Sequence, residues 1–161
     1  MKQTISVIVE NRAGVLSKIT SLFSKRAFNI ESLAVGVTDD PTLSRITIIV
    51  DSGNSVVEQV EKQLNKLVDV VKVRVLNEHS IIGRELLLIK VNATVTTRPD
   101  IMTICEICGA KIADITANTL TIELSAESDK VASFEEMMRP FGIMETARTG
   151  MIALQKGAAK I

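Results

Sequence analysis

Apolar side chains in this chain recur with two alternating periods, and the order of that alternation comes round twice. In residues 4–9, Thr-Ile-Ser-Val-Ile-Val puts Ile5, Val7 and Val9 on one face, the two-residue period of a strand. Leu16, Ile19, Leu22/Phe23 and Arg26/Ala27 then follow a helical spacing over about residues 14–27. Residues 29–37 read as a second strand, Asp39-Asp40-Pro41-Thr42 as a turn, and residues 44–51 as a third strand. Ser55-Val56-Val57-Glu58 has the form of a capping box and opens a helix with Val57, Val60, Leu64 and Leu67 in one stripe. Val71, Val73 and Val75, alternating with Lys72 and Arg74, make a fourth strand.

The order is β-α-β-β-α-β. Such a chain folds as a split βαβ, or ferredoxin-like, layer. Right-handed crossovers put both helices on one face of the sheet, so the other face must be covered by something else or stay wet. After a break at residues 77–83, the order returns. A strand spans 85–95, and Arg98-Pro99-Asp100 starts a helix with Ile101, Ile104 and Cys108 on one side. Residues 111–115 form a short strand, Asn118 a turn, and Leu120, Ile122 and Leu124 the next strand. Ser128-Asp129 precedes a helix carrying Val131, Phe134 and Met138, which Pro140 stops. A last strand over 141–154 breaks near Gly150, and 155–161 is a frayed tail. The expected fold is therefore α+β: two tandem ferredoxin-like βαββαβ domains with antiparallel sheets and helices on one face. They occupy 1–77 and 84–161, joined by a linker at 78–83.

Charge and composition narrow the function. The net charge is zero, with ten basic and nine acidic residues in 1–78 and nine and ten in 79–161. Neither half offers the basic face that nucleic acid or an anionic membrane would select. There are four Phe and no Trp or Tyr, so a single-strand nucleic-acid surface would lack stacking platforms. No apolar run approaches the ~18 residues of a membrane span, and residues 1–4 lead directly into strand pattern. The two cysteines lie three apart and form no disulfide framework, so a reducing, cytoplasmic setting is expected.

Catalytic chemistry is hard to assemble. Cys105-Glu106-Ile107-Cys108 is a formal CxxC, but it falls inside a helix, away from the N-terminal position that stabilises a thiolate. His79 stands in the linker without a nucleophile or orienting partner nearby in sequence. Asp39-Asp40 beside Pro41 reads as a solvated turn rather than a metal site, and Glu135-Glu136 as a solvated helix face. No Walker A, GxGxxG or GxSxG sequence occurs. Catalytic and metal residues are therefore expected to be none. A stand-alone enzyme such as a small phosphatase, or an RNA-binding module, is the disfavoured alternative.

What remains is the first strand-to-helix turn, Asn11-Arg12-Ala13-Gly14-Val15-Leu16. A helix start offers unpaired amides and the positive end of a dipole, and a glycine there lets a small carboxylate approach. Taken alone, the same residues equally suit a tight helix start with Asn11 as its cap.

In its company, the turn resembles a known family. The turn is followed by Phe28-Asn29-Ile30-Glu31-Ser32-Leu33, Asp39-Asp40-Pro41, Ser44-Arg45-Ile46-Thr47 and Gln63-Leu64-Asn65-Lys66-Leu67-Val68-Asp69-Val70. Arg84-Glu85-Leu86, Ile89-Lys90-Val91, Pro140-Phe141-Gly142-Ile143 and Ala147-Arg148-Thr149-Gly150 continue the pattern. Together these resemble the regulatory (small) subunit of acetolactate synthase, also called acetohydroxyacid synthase, across essentially the whole chain. Cys108-Gly109, Gln155-Lys156-Gly157 and Gly83 depart from the family's pattern, all outside the turn.

The resemblance implies an N-terminal ACT domain over 1–77, used for effector binding and dimerisation, and the C-terminal domain typical of such subunits. It implies a chain without an active site, which activates a separate catalytic subunit using thiamine diphosphate, Mg²⁺ and FAD. That enzyme condenses pyruvate with pyruvate or 2-oxobutyrate in branched-chain amino acid biosynthesis. The resemblance further implies feedback inhibition by valine, or by leucine or isoleucine, at a homodimer interface. Asn11, Gly14, Asn29 and Ile30 match the family's effector pocket, and Ala13, Val15 and Leu16 complete the turn.

Overall fold

The computed structural model describes residues 2–51 and 53–161, apart from the side chains of Asn54 and Ser55. The chain forms two compact units. One runs to Ile82 and also takes in Met151–Ile161; the other is Gly83–Gly150.

In the first unit, β1 (Lys2–Glu10), β2 (Ile30–Val37), β3 (Leu43–Asp51) and β4 (Val70–Leu76) form an antiparallel sheet in the order β2-β3-β1-β4. Two eleven-residue helices, α1 (Val15–Lys25) and α2 (Asn54–Leu64), complete the βαββαβ order. Register pairs Ile5 with Ile48 and Val7 with Ile46, so the alternating set of β1 meets that of β3 on one face. On that face they meet Val15, Ile19, Leu22 and Phe23 of α1 and Val57, Val60 and Leu64 of α2. Phe23 also meets Phe28 edge-on, with ring centroids 6.3 Å apart. α2 begins at Asn54 after Gly53, and the capping box expected at Ser55 rests on a side chain outside those described.

The opposite face of this sheet is also buried at its centre: Thr4, Ser6 and Ile8 of β1 and Thr47 and Ile49 of β3 are all below a tenth exposed. Arg74 and Leu76 lie on this face, opposite Ser6 and Thr4. There they meet the C-terminal segment. Arg74 donates to Gln155 Oε1 at 2.8 Å and to the Lys160 carbonyl at 3.1 Å, and Leu76 is buried with Ile81 and Ala153. The Lys156 amide donates to the Ser80 carbonyl at 2.8 Å. Residues 155–161 are therefore tethered, where a frayed tail was expected.

In the second unit, β5 (Ile81–Asn92), β6 (Lys111–Ile115), β7 (Thr119–Ala126) and β8 (Ile143–Arg148) lie in the order β6-β7-β5-β8. Helices α3 (Arg98–Cys108) and α4 (Ser128–Met138) bury Ile101, Cys105, Cys108, Val131, Phe134 and Met138 against Leu87, Ile89, Val91, Leu120, Ile122 and Leu124. The two-domain α+β reading holds. The last strand expected over 141–154 is two strands, β8 and β9 (Ile152–Gln155), with Gly150 at positive φ between them, and β9 pairs β5. The boundary between units falls at Ile82/Gly83, inside the stretch read as a linker. The second packing unit, however, ends before Met151, so it is shorter than 84–161.

Candidate functional site

The first turn is built from β1 running into α1. Gly14 stands at the helix N-cap with φ 85° and ψ −13°, a left-handed conformation open to glycine at little cost. A Cβ placed there would meet nothing within 4 Å, so the glycine answers a backbone need and faces open space. Val15 is buried in the core, while Asn11, Ala13, Gly14 and Leu16 are exposed. The Val15 amide bonds back to the Arg12 carbonyl at 3.4 Å. The amides of Ala13, Gly14, Leu16 and Ser17 have no acceptor among the described residues. No acidic residue occupies the first helical turn. The turn thus presents several unpaired donors and a positive dipole end with no internal anion to consume them.

Two neighbours hold the turn. On one side, the Asn11 amide donates to the Thr42 carbonyl at 2.7 Å, and Asn11 Nδ2 donates to the Pro41 carbonyl at 2.9 Å. Asn11 Oδ1 has no donor among the described residues and remains an available acceptor. On the other side, Asp69 at the foot of β4 accepts from the Arg12 guanidinium and from Lys18 Nζ, the latter at 2.6 Å. Its carbonyl also accepts from the Glu10 amide at 2.9 Å. The Asp69 side chain is 5% exposed, against 58% for Arg12 and 59% for Lys18. The two cations, Lys18 foremost, hold its carboxyl below the usual carboxylate range. The clamp is therefore present above the ordinary aspartate range and is lost only as pH falls through the depressed value. Sequence reasoning missed Asp69, whose only local signal was a charge among apolar residues between a helix and a strand.

Asn29 and Ile30 lie elsewhere. They follow the far end of α1, and Ile30 opens β2 and packs on the core. Eleven helical residues separate them from Gly14, about 16 Å at 1.5 Å per residue. One chain thus gathers Asn11, Ala13, Gly14, Val15 and Leu16 into a single turn but holds Asn29 and Ile30 at the opposite end of the helix. β2 is an edge strand, and its Val35 and Val37 are 48% and 60% exposed.

The other motifs have structural explanations. Asp40 accepts from the Thr42 amide at 2.9 Å and the Thr42 hydroxyl at 2.6 Å, which lowers its pKa and fixes the β2–β3 turn. Cys105 and Cys108 are buried thiols, and burial, with Cys108 alongside, pushes the Cys105 pKa up to about 11. No group of three or more metal-ligating side chains occurs among the described residues. No helix among them is long and apolar enough to cross a membrane. In the second unit, Arg148 pairs with the buried Glu85 and with Glu135 at 3.4 Å. Two motifs 63 residues apart are thereby joined in one ion-pair network.

The sequence model described as the AHAS small subunit-like ACT domain matches residues 5–72, and that of the small subunit of acetolactate synthase matches residues 84–157. The chain belongs to the acetolactate synthase small-subunit family. It is 47% identical over 160 residues to the probable acetolactate synthase small subunit of Archaeoglobus fulgidus, covering 99% of this chain and 100% of that one. It is 44% identical to the Bacillus subtilis acetolactate synthase small subunit, covering 98% and 92%. The crystal structure of the Thermotoga maritima acetolactate synthase small subunit superposes with a TM-score of 0.92 at 35% identity, covering 99% of both chains. The open turn thus belongs to the ACT domain of an acetolactate synthase small subunit, a regulatory module.

Proposed function

We propose that this chain is the cytoplasmic regulatory subunit that activates an acetolactate synthase catalytic subunit and makes it sensitive to valine, or to a related branched-chain amino acid. The observation that supports the reading is the open turn at one end of α1, with Asn29 and Ile30 beyond the other. β1 and β2 both run antiparallel to β3, so they are parallel to each other, and α1 between them runs the opposite way. α1 crosses from the inner β1 to the edge β2 and so lies on the β2 side of the sheet. Two copies pairing their β2 edges about a two-fold axis would set their α1 helices side by side and antiparallel. The Gly14 end of one would then stand beside the end of the other that leads into the partner's Asn29 and the partner's Ile30.

In that site the effector's carboxylate meets the free amides of Ala13, Gly14, Leu16 and Ser17. Its ammonium meets Asn11 Oδ1 and the partner's Asn29, and its branched side chain lies against the partner's Ile30. Pairing would also cover an exposed edge strand. Because the ligand touches both copies, binding and dimer geometry are linked, and a coupling of about 1–3 kcal/mol is a 5- to 150-fold change in affinity between sites. Thiamine diphosphate, Mg²⁺ and FAD belong, on this reading, to the catalytic subunit.

The test is to mix the chain with an acetolactate synthase catalytic subunit and titrate valine while following acetolactate formation. Activation without valine and inhibition with it are expected; no change in rate on adding the chain would overturn the reading.

A further inference from the structure

The effector turn is held from outside itself. Arg12 lies two residues before Gly14, and Lys18 lies one helical turn after it, its amide bonded to the Gly14 carbonyl at 3.1 Å. Both cations converge on one carboxylate, Asp69, carried by a segment more than fifty residues away in sequence. Glu10 adds a 2.7 Å ion pair to Arg12, and the Glu10 amide bonds the Asp69 carbonyl. The glycine therefore sits between two anchor points on the same buried group. Nothing else among the described residues ties the helical side of the turn to the sheet through a side-chain hydrogen bond.

We propose that Asp69 is a positioning residue for effector binding: by clamping Arg12 and Lys18 on either side of Gly14, it holds the unpaired amides of Ala13, Gly14, Leu16 and Ser17 converged on one point. The inference rests on the effector site proposed above. A left-handed glycine with unpaired neighbours is held only in part by the Val15 and Lys18 amide bonds, and glycine is the residue with most backbone freedom to lose. With the clamp in place, that ordering is complete before the ligand arrives, and less is lost on binding.

Removing the clamp has two opposing consequences. It frees Lys18 and leaves Arg12 to Glu10 alone near the anion site, which would tighten binding by about twofold at most, since both cations are more than half exposed and screened. It also leaves several residues to be ordered by the ligand, a loss of about tenfold or more. The second effect is the larger, so binding should weaken.

The experiment is calorimetric titration of valine into the full-length dimer of the native chain and of the Asp69→Asn, Lys18→Met, Gly14→Asp and Asp69→Asn/Lys18→Met variants. Hydrogen exchange is followed at residues 13–17. Asp69→Asn should weaken valine about tenfold in the folded protein and speed exchange at those amides. Lys18→Met should weaken it less, and adding Lys18→Met to Asp69→Asn should change little, because the partner is already gone. A residue that only stabilised the fold would lower the melting temperature and leave the dissociation constant of the folded dimer unchanged. Unchanged or tighter binding in Asp69→Asn, with binding lost in Gly14→Asp, overturns the positioning role and keeps the site. Valine still bound by Gly14→Asp overturns the site and this inference with it. If Asp69→Asn does not fold, Lys18→Met decides alone: unaltered affinity and exchange reject the clamp.

Discussion

The two units share one topology and differ where it matters most, at the turn from the first strand into the first helix. In the N-terminal unit that turn is open: Gly14 is left-handed and four nearby amides find no acceptor among the described residues. In the C-terminal unit the corresponding turn has no left-handed glycine and pairs more of its amides within itself. The Thr94 amide donates to Thr97 Oγ1 at 3.0 Å, the Thr97 amide donates to Thr94 Oγ1 at 3.2 Å, and the Arg98 and Ile101 amides reach the Thr94 and Thr97 carbonyls. Pro99 has no amide to leave over. The Arg98 guanidinium is spent on the Thr116 and Ala117 carbonyls. The fold is the same, but the donors left free differ: the first helix start leaves its glycine turn open, and the second turns threonine hydroxyls and a proline on itself.

The sharpest way to break this contrast is Gly14→Asp. It forces a side chain into a left-handed position and sets a carboxylate against the ligand's own, a clash of like charges worth several kcal/mol and about 100-fold or more in affinity. Valine binding should vanish by calorimetry while activation of the catalytic subunit persists. Next in size is Arg148→Met in the other unit. It strands the buried Glu85 and should cost about 3 kcal/mol in urea unfolding of that unit, with valine affinity unchanged. Asn11→Ala and Asn29→Ala should each weaken valine about tenfold, the scale of one hydrogen bond to a charged group. Full affinity in both would remove the two amides from the site. The smallest effect is Thr97→Val, which opens the Thr94 amide in the second unit's turn and should cost about 1 kcal/mol of stability. A valine site created in the second unit by that change would show that the contrast rests on a single hydrogen bond.

Much of this was readable in advance, for a physical reason. Ile5, Val7 and Val9, or Leu120, Ile122 and Leu124, state their face and partner type by period alone, so both βαββαβ units followed from the alternation. Gly14 after a strand and before a helical stripe marked the turn, and the family resemblance joined Asn29 and Ile30 to it. The clamp at Asp69 was not readable, because a polar side chain outside a periodic element carries no address. Its partners lie 57 and 51 residues away.

The C-terminal residues show the same limit. Small and polar, residues 155–161 had the composition of a loose end, yet Arg74, 81 residues upstream of Gln155, holds them on the sheet face away from the helices. By itself, the sequence determined the periods and the glycine, and its family resemblance named the residues proposed for the site. Only the tertiary structure decided that Gly14 and Asn29 stand at opposite ends of one helix, and that a buried carboxylate grips the turn from β4. Local pattern fixes what each segment buries; which distant charges meet is settled only when the segments have packed.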